Sequence, residues 1–208
     1  MENRSAVDQD NSRAGQGTPV GCSAHHHAEK ATELLSQEHR VIERVLAVVE
    51  TLTTRPVEGL VENWKKALDF IRNFADQCHH FKEEKVLFPA MEEHGIPSEG
   101  GPVSVMLTEH EEGRAYVRSM LAALSLAEAG NQAAKEKLIG NAKAYLRLLR
   151  EHIQKEDEVL FQIADDVIPA DEQKALLRAF EEHEAKEMGE GVHEKYLRIV
   201  EELETAMA

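Results

Sequence analysis

The 208 residues carry 24 Lys and Arg against 39 Asp and Glu, a net charge of −15, which argues against nucleic acid or an anionic membrane as a partner. Hydrophobic residues make up 42% but aromatics only 5%, and abundant Ala, Leu, Glu and Lys favour helix over sheet. Cys22 and Cys78 lie far apart and no leader pattern opens the chain, so neither a disulfide framework nor export is expected; no apolar run reaches the roughly 20 residues of a membrane span, and the expected compartment is the reducing cytoplasm.

Residues 1–27 are polar and lack apolar periodicity, which predicts a disordered tail. Its His25, His26 and His27 are expected to be a solvated triplet. From Glu29, the residues Leu34, Leu35, Val41, Ile42, Val45, Leu46, Val49 and Leu52 recur at steps of three and four, predicting a first helix that ends before "TTRP". A second helix is predicted from about Glu58 to Glu93, with Leu60, Trp64, Leu68, Ile71, Phe74, Val86 and Phe88 as its stripe and Pro89 bending or tightening its last turns. Pro102 fits the first turn of a third helix carrying Val105, Met106, Val117, Met120, Leu121 and Leu124. Asn131 is a predicted cap for a fourth, whose core face runs from Leu138 to Val159, Leu160 and Phe161. Two shorter helices follow, at about 172–187 and 192–206. The fold class is all-α: an antiparallel up-down four-helix bundle over residues 28–168, with two additional C-terminal helices over 169–208 packed on it.

The second and fourth helices share a motif. "HHFKEEKVLF" from His79 aligns without a gap with "HIQKEDEVLF" from His152, pairing His79 with His152, Lys82 with Lys155 and Glu83 with Glu156. The first and third share a weaker echo around His39 and His110. The offsets are 71 residues for the weaker pair and 73 for the stronger one, so the bundle reads as two helical hairpins related by a pseudo-twofold axis. His79 and Glu83 lie one turn apart on one stripe, as do His152 and Glu156, while His80 neighbours Glu83 at i+3. Because apolar residues flank both motifs, these groups are expected to point inward.

One inward histidine is ordinarily a hydrogen-bonded core residue. Several imidazoles and two carboxylates buried without a cation would cost several kcal/mol per charged group, and a bound cation removes that cost. The set offers imidazole and carboxylate without thiolate and exceeds the four ligands of structural zinc. Such ligation suits non-haem iron or manganese, and two carboxylates on opposite helices can bridge a metal pair. The ferritin-like alternative uses paired Glu-x-x-His elements; Glu190 and His193 form the one pair at that spacing, outside the four-helix core.

With His39, "HHFKEE", "EHEEGR" and "HIQKEDEVLF" in place, the chain resembles the bacterial hemerythrin-like proteins, the HHE cation-binding domain family, over about residues 29–168. The resemblance implies two iron ions (Fe2+/Fe3+), bridged by oxo or hydroxo and by two carboxylates, with His39, His79, Glu83, His110, His152 and Glu156 as ligands. Invertebrate hemerythrins take a seventh ligand from a second histidine one turn along the third helix, where this chain has Arg114. The iron-sensing F-box protein of animals places a ligand directly after the histidine of the second helix, where this chain has His80. On that precedent and on its position beside Glu83, His80 is assigned as the seventh ligand; a hydrogen bond from His80 to a neighbouring helix is the alternative. A shifted register, pairing His80 with Glu84 and His152 with Asp157, stays open.

Two six-coordinate irons offer roughly twelve positions, of which the ligands and bridges fill all but about one. The resemblance therefore implies a protein that binds or reduces O2 or a related small oxidant, peroxide or nitric oxide, and whether it turns over as an enzyme is not legible. The alternative is a non-enzymatic iron-binding protein for sensing or storage. Glu38, Glu109, Glu111, Lys82 and Lys155 are expected to be mostly solvated helix-face charges, with support of the ligands from behind as the alternative, and Arg114 either orients a bridging carboxylate or forms a salt bridge. His183 and His193 are expected to be structural rather than gates at the bundle mouth.

Overall fold

The three- and four-residue apolar periodicity resolves into six helices among the described residues, 28–189 and 191–208, of the computed structural model. The predicted tail with its His25, His26 and His27, and Glu190 of the Glu-x-x-His pair, lie outside those residues. Helix α1 spans Ala31–Thr54, α2 residues 61–93, α3 Pro102–Glu128, α4 residues 132–167, α5 residues 173–188 and α6 Val192–Met207. The first helix runs through the two threonines expected to end it, whose hydroxyls donate to the carbonyls of Glu50 and Thr51. The second begins three residues later than predicted. Asn131 caps α4 as expected, its side chain accepting from the Ala134 N–H at 3.0 Å.

Two apolar clusters define the direction of each helix. Leu34 and Leu35 near the start of α1 share one cluster with Leu87 and Phe88 late in α2, Met106 early in α3 and Phe161 late in α4. The other cluster joins Leu52, Trp64, Leu124 and Leu138 from the opposite ends of the same helices. Each helix therefore runs opposite to the one before it. Burying side chains of this size contributes roughly 1.5–3 kcal/mol each, so the clusters are the main adhesive of the bundle. Val105, Leu121 and Val159, placed on core faces by periodicity, instead lie at the surface, Val159 being 52% exposed.

The last two helices lie along α1 and α2. Tyr196 of α6 packs edge-on against Phe70, Arg44 donates two hydrogen bonds to Glu204, and His183 of α5 stacks on Phe81 with 3.4 Å between ring centroids. His183 also bonds to the Gln77 carbonyl at 3.0 Å, a structural role, as expected.

Between the clusters α2 and α4 depart from regular α-helical winding. Turns closed by i→i+5 bonds occupy Ile71–His80 and Glu83–Leu87 in α2 and Glu156–Leu160 in α4. Such wide turns recur at functional sites. Pro89 is not their cause, because the α4 copy forms with Gln162 at the equivalent position. The feature common to both is the glutamate that opens the turn. In the wide turn successive side chains diverge less than in an α-helix, which lets both His79 and His80 reach the interior.

Candidate metal centre

All seven predicted residues converge between the two apolar clusters. Their potential ligand atoms form two groups, His39, His79, Glu83 and Glu156 in one and His80, Glu83, His110 and His152 in the other; within each group the atoms lie within 4.8 Å of one another. Glu83 belongs to both. Its Oε1 lies 3.4 Å from His79 Nε2 and its Oε2 3.5 Å from His110 Nε2. Glu156, a member of the first group, also reaches a histidine of the second through a single oxygen, its Oε2 lying 3.3 Å from both His39 Nε2 and His152 Nε2.

Every one of the five imidazoles turns its Nδ1 away from this centre onto a carboxylate. His39 donates to Asp157 (2.9 Å), His79 to Glu38 (2.9 Å), His80 to Asp76 (3.4 Å), His110 to Glu84 (2.8 Å) and His152 to Glu109 (2.9 Å). An ionised carboxylate only accepts, so each Nδ1 carries a proton and Nε2 is the ring nitrogen left facing inward. Glu84 and Asp157, the carboxylates of the shifted register, thus stand behind the rings of His110 and His39.

A cation holds each of these acids in turn. Lys82 pairs with Glu38, Lys155 with Glu109 and Arg40 with Asp157. Arg114 spans Asp76 at 2.8 Å and Glu84 at 2.7 Å and also meets Glu111, so it forms salt bridges with the outer acids rather than orienting Glu83 or Glu156. Glu38, His79 and Lys82 are matched by Glu109, His152 and Lys155 across the pseudo-twofold axis. The His80 and Asp76 pair has no such counterpart.

The expectation that these outer charges are solvated is corrected for two of them. Glu38 is 2% exposed and Lys82 is fully buried, because Lys82 reaches between Glu38 and Glu184 of α5. Glu109 is mostly covered, Lys155 is partly open and Glu111 is at the surface. Burial alone would raise the Glu38 carboxyl, but Lys82 and His79 outweigh it and hold it well below the usual carboxylate range. Burial likewise opposes charge on His79, yet Glu83 and Glu38 push its imidazole up to about 10. His80 behaves oppositely, since burial and then the neighbouring His110 drive it well below the usual imidazole range.

The inner atoms are those a cation would satisfy. His39 Nε2 and all four carboxylate oxygens of Glu83 and Glu156 are buried without a hydrogen-bond partner among the described residues. Native interiors rarely leave such groups unpaired. His110 Nε2 and His152 Nε2 lie 3.0 Å apart, where two lone pairs repel unless a proton or a metal ion lies between them. The residues therefore fit a metal. A third group, Glu38, Glu184 and His193, already has a cation, because the Lys82 ammonium pairs with both Glu38 and Glu184.

Asp76 and Glu184 had not been singled out from the sequence. The repeat does carry a signal for most of the outer layer, because Glu38 and Glu109 each precede a histidine of the pair while Glu84 and Asp157 each follow a glutamate of the pair.

Five imidazoles and two carboxylates enclosed between apolar halves define a helical bundle of the histidine-carboxylate, metal-binding class. Residues 30–164 match the model of the hemerythrin HHE cation binding domain, so the chain belongs to that family. Uncharacterized proteins of Mycobacterium tuberculosis and Mycobacterium bovis are each 29% identical to it over 200 residues, covering 93% of this chain and 76% of theirs. No solved structure matches it.

Proposed function

We propose that the bundle holds a pair of iron ions and binds or reduces O2 or a related small oxidant, peroxide or nitric oxide. The observation that carries this reading is the sharing of Glu83 between two ligand groups, with Glu156 also touching a histidine of each. His39 and His79 would hold one ion, His80, His110 and His152 the other, and the two carboxylates would bridge them beside an oxo or hydroxo group. Such a pair supplies reducing equivalents and about one open coordination position. The chain's own groups do the rest. The five outer carboxylates fix each imidazole as an Nε2 donor, Lys82, Lys155, Arg40 and Arg114 fix the carboxylates, and the apolar clusters keep bulk water from the centre.

No described helix is long and apolar enough to cross a membrane, and the acidic composition supports the cytoplasm as the proposed compartment. Anaerobic reconstitution with Fe(II), metal counting, and separate exposure to O2, peroxide and nitric oxide under optical observation test the reading. Two irons per chain and a spectral change with at least one oxidant are expected. One iron or none would overturn the dinuclear centre, and two irons inert to all three oxidants would leave iron sensing or storage as the function.

A further inference from the structure

A chamber of about 410 Å3 opens between α2, α3 and α4, within the roughly 300–1,000 Å3 of small-molecule sites. Its buried end is formed by His80, Tyr145 and Gly113. Gly113 lies on its floor, where an added Cβ would come into ordinary van der Waals contact with Tyr145 Cε2 at 3.6 Å and longer side chains would extend into the space. Ile71 and Val117 make an apolar wall, and Leu121, 40% exposed, continues it to the mouth.

The polar groups of the chamber divide into satisfied and unsatisfied. Asp76 and Arg114 on its wall neutralise each other, and Arg114 is further engaged by Glu84 and Glu111. The Tyr145 hydroxyl makes no hydrogen bond among the described residues although the residue is 2% exposed, and burial with the nearby Asp76 charge keeps it protonated by pushing its pKa up. At the mouth the exposed Arg72 and Arg118 make no ion pair among the described residues. Two unpaired guanidiniums beside an apolar lip stand out on a chain of net charge −15.

We propose that this chamber binds a small organic monoanion, its carboxylate held by Arg72 and Arg118, its apolar body against Ile71, Val117 and Leu121, and an acceptor oxygen at its far end meeting the Tyr145 hydroxyl beside His80. A flat apolar ligand would not need the arginines, and an inorganic anion would leave the apolar wall uncovered. Binding here does not depend on iron, so it stands or falls separately from the reading of the metal centre.

Calorimetric titration of the full chain, metal-free and iron-loaded, with 8-hydroxyoctanoate, octanoate and 1-octanol tests the proposal. The hydroxy acid should bind tightest, octanoate a few-fold more weakly, and octanol about tenfold more weakly than octanoate because it lacks a charge-assisted contact. The double variant Arg72→Gln, Arg118→Gln should weaken both acids about tenfold, and Tyr145→Phe should erase the difference between them. Gly113→Leu fills the chamber and should abolish binding; the two exposed arginine substitutions keep the test decisive if that variant fails to fold. Octanol binding as tightly as octanoate, an unchanged gap in Tyr145→Phe, or no binding of either acid would overturn the proposal.

Discussion

Replacing Glu156 by glutamine separates what the centre costs the fold from what it does. In the metal-free chain both Glu156 oxygens are buried without a hydrogen-bond partner among the described residues, while the Nε2 atoms of His39 and His152 stand 3.3 Å away. The glutamine amide supplies an N–H donor facing those two acceptors and removes a buried charge. Leaving a buried polar group unsatisfied costs about 1–3 kcal/mol, more when it is charged. A folded chain of this size shifts its midpoint by about 2–4 °C per kcal/mol. Metal-free Glu156→Gln should therefore melt roughly 2–12 °C above the metal-free parent. Adding Fe(II) anaerobically at 100 times its dissociation constant should stabilise the parent by about 2.7 kcal/mol and the variant by far less. Thermal melts followed by circular dichroism, with and without iron, read both effects. A metal-free variant that melts below the parent, or one that gains as much as the parent from iron, would refute the reasoning.

His80→Ala should lower bound iron by one ion per chain, while His183→Ala should leave the count intact and lower stability through the lost stacking on Phe81; metal analysis and urea unfolding distinguish them. Glu109→Ala should weaken metal affinity about 10–100-fold by freeing the His152 ring, read by competition with a chelator. Lys82→Met leaves Glu38 buried without its cation and should destabilise the chain by about 3–5 kcal/mol, measured by urea denaturation. Asn131→Ala removes the cap of α4 and should cost about 1 kcal/mol with no change in iron content.

The helices were legible because burial on one stripe imposes a period that a single chain displays without its neighbours. The inner ligands were legible for a related reason: a carboxylate one turn from a histidine, repeated at a constant offset, leaves a local trace. The i→i+5 turns left none: one also occupies Glu184–Met188 of α5, which carries none of the seven inner residues. Val159 shows the reverse error. It sits inside a "VLF" copy that continues the core stripe, yet it is 52% exposed. Lys82 and Glu38 were misjudged because nothing in a helical stripe distinguishes a solvated lysine from one covered by a segment 102 residues away, which is the separation from Lys82 to Glu184.

Charge is the constraint that ties these layers together. Two inner carboxylates and five outer ones face four cationic side chains, Lys82, Lys155, Arg40 and Arg114. Acids therefore outnumber the cationic side chains, and the inner pair, Glu83 and Glu156, is fully buried, where water screens least. Protonating His79 lessens that imbalance, which is why its imidazole is pushed up to about 10 by Glu83 and Glu38 despite burial. His80 stays neutral for a different reason: it is buried and lies against His110, which together drive its imidazole well below the usual range, and a neutral ring there is the form able to donate an Nε2 lone pair. The asymmetry between His79 and His80, adjacent in sequence, thus follows from which group each one faces, Glu83 and Glu38 for His79 and His110 for His80.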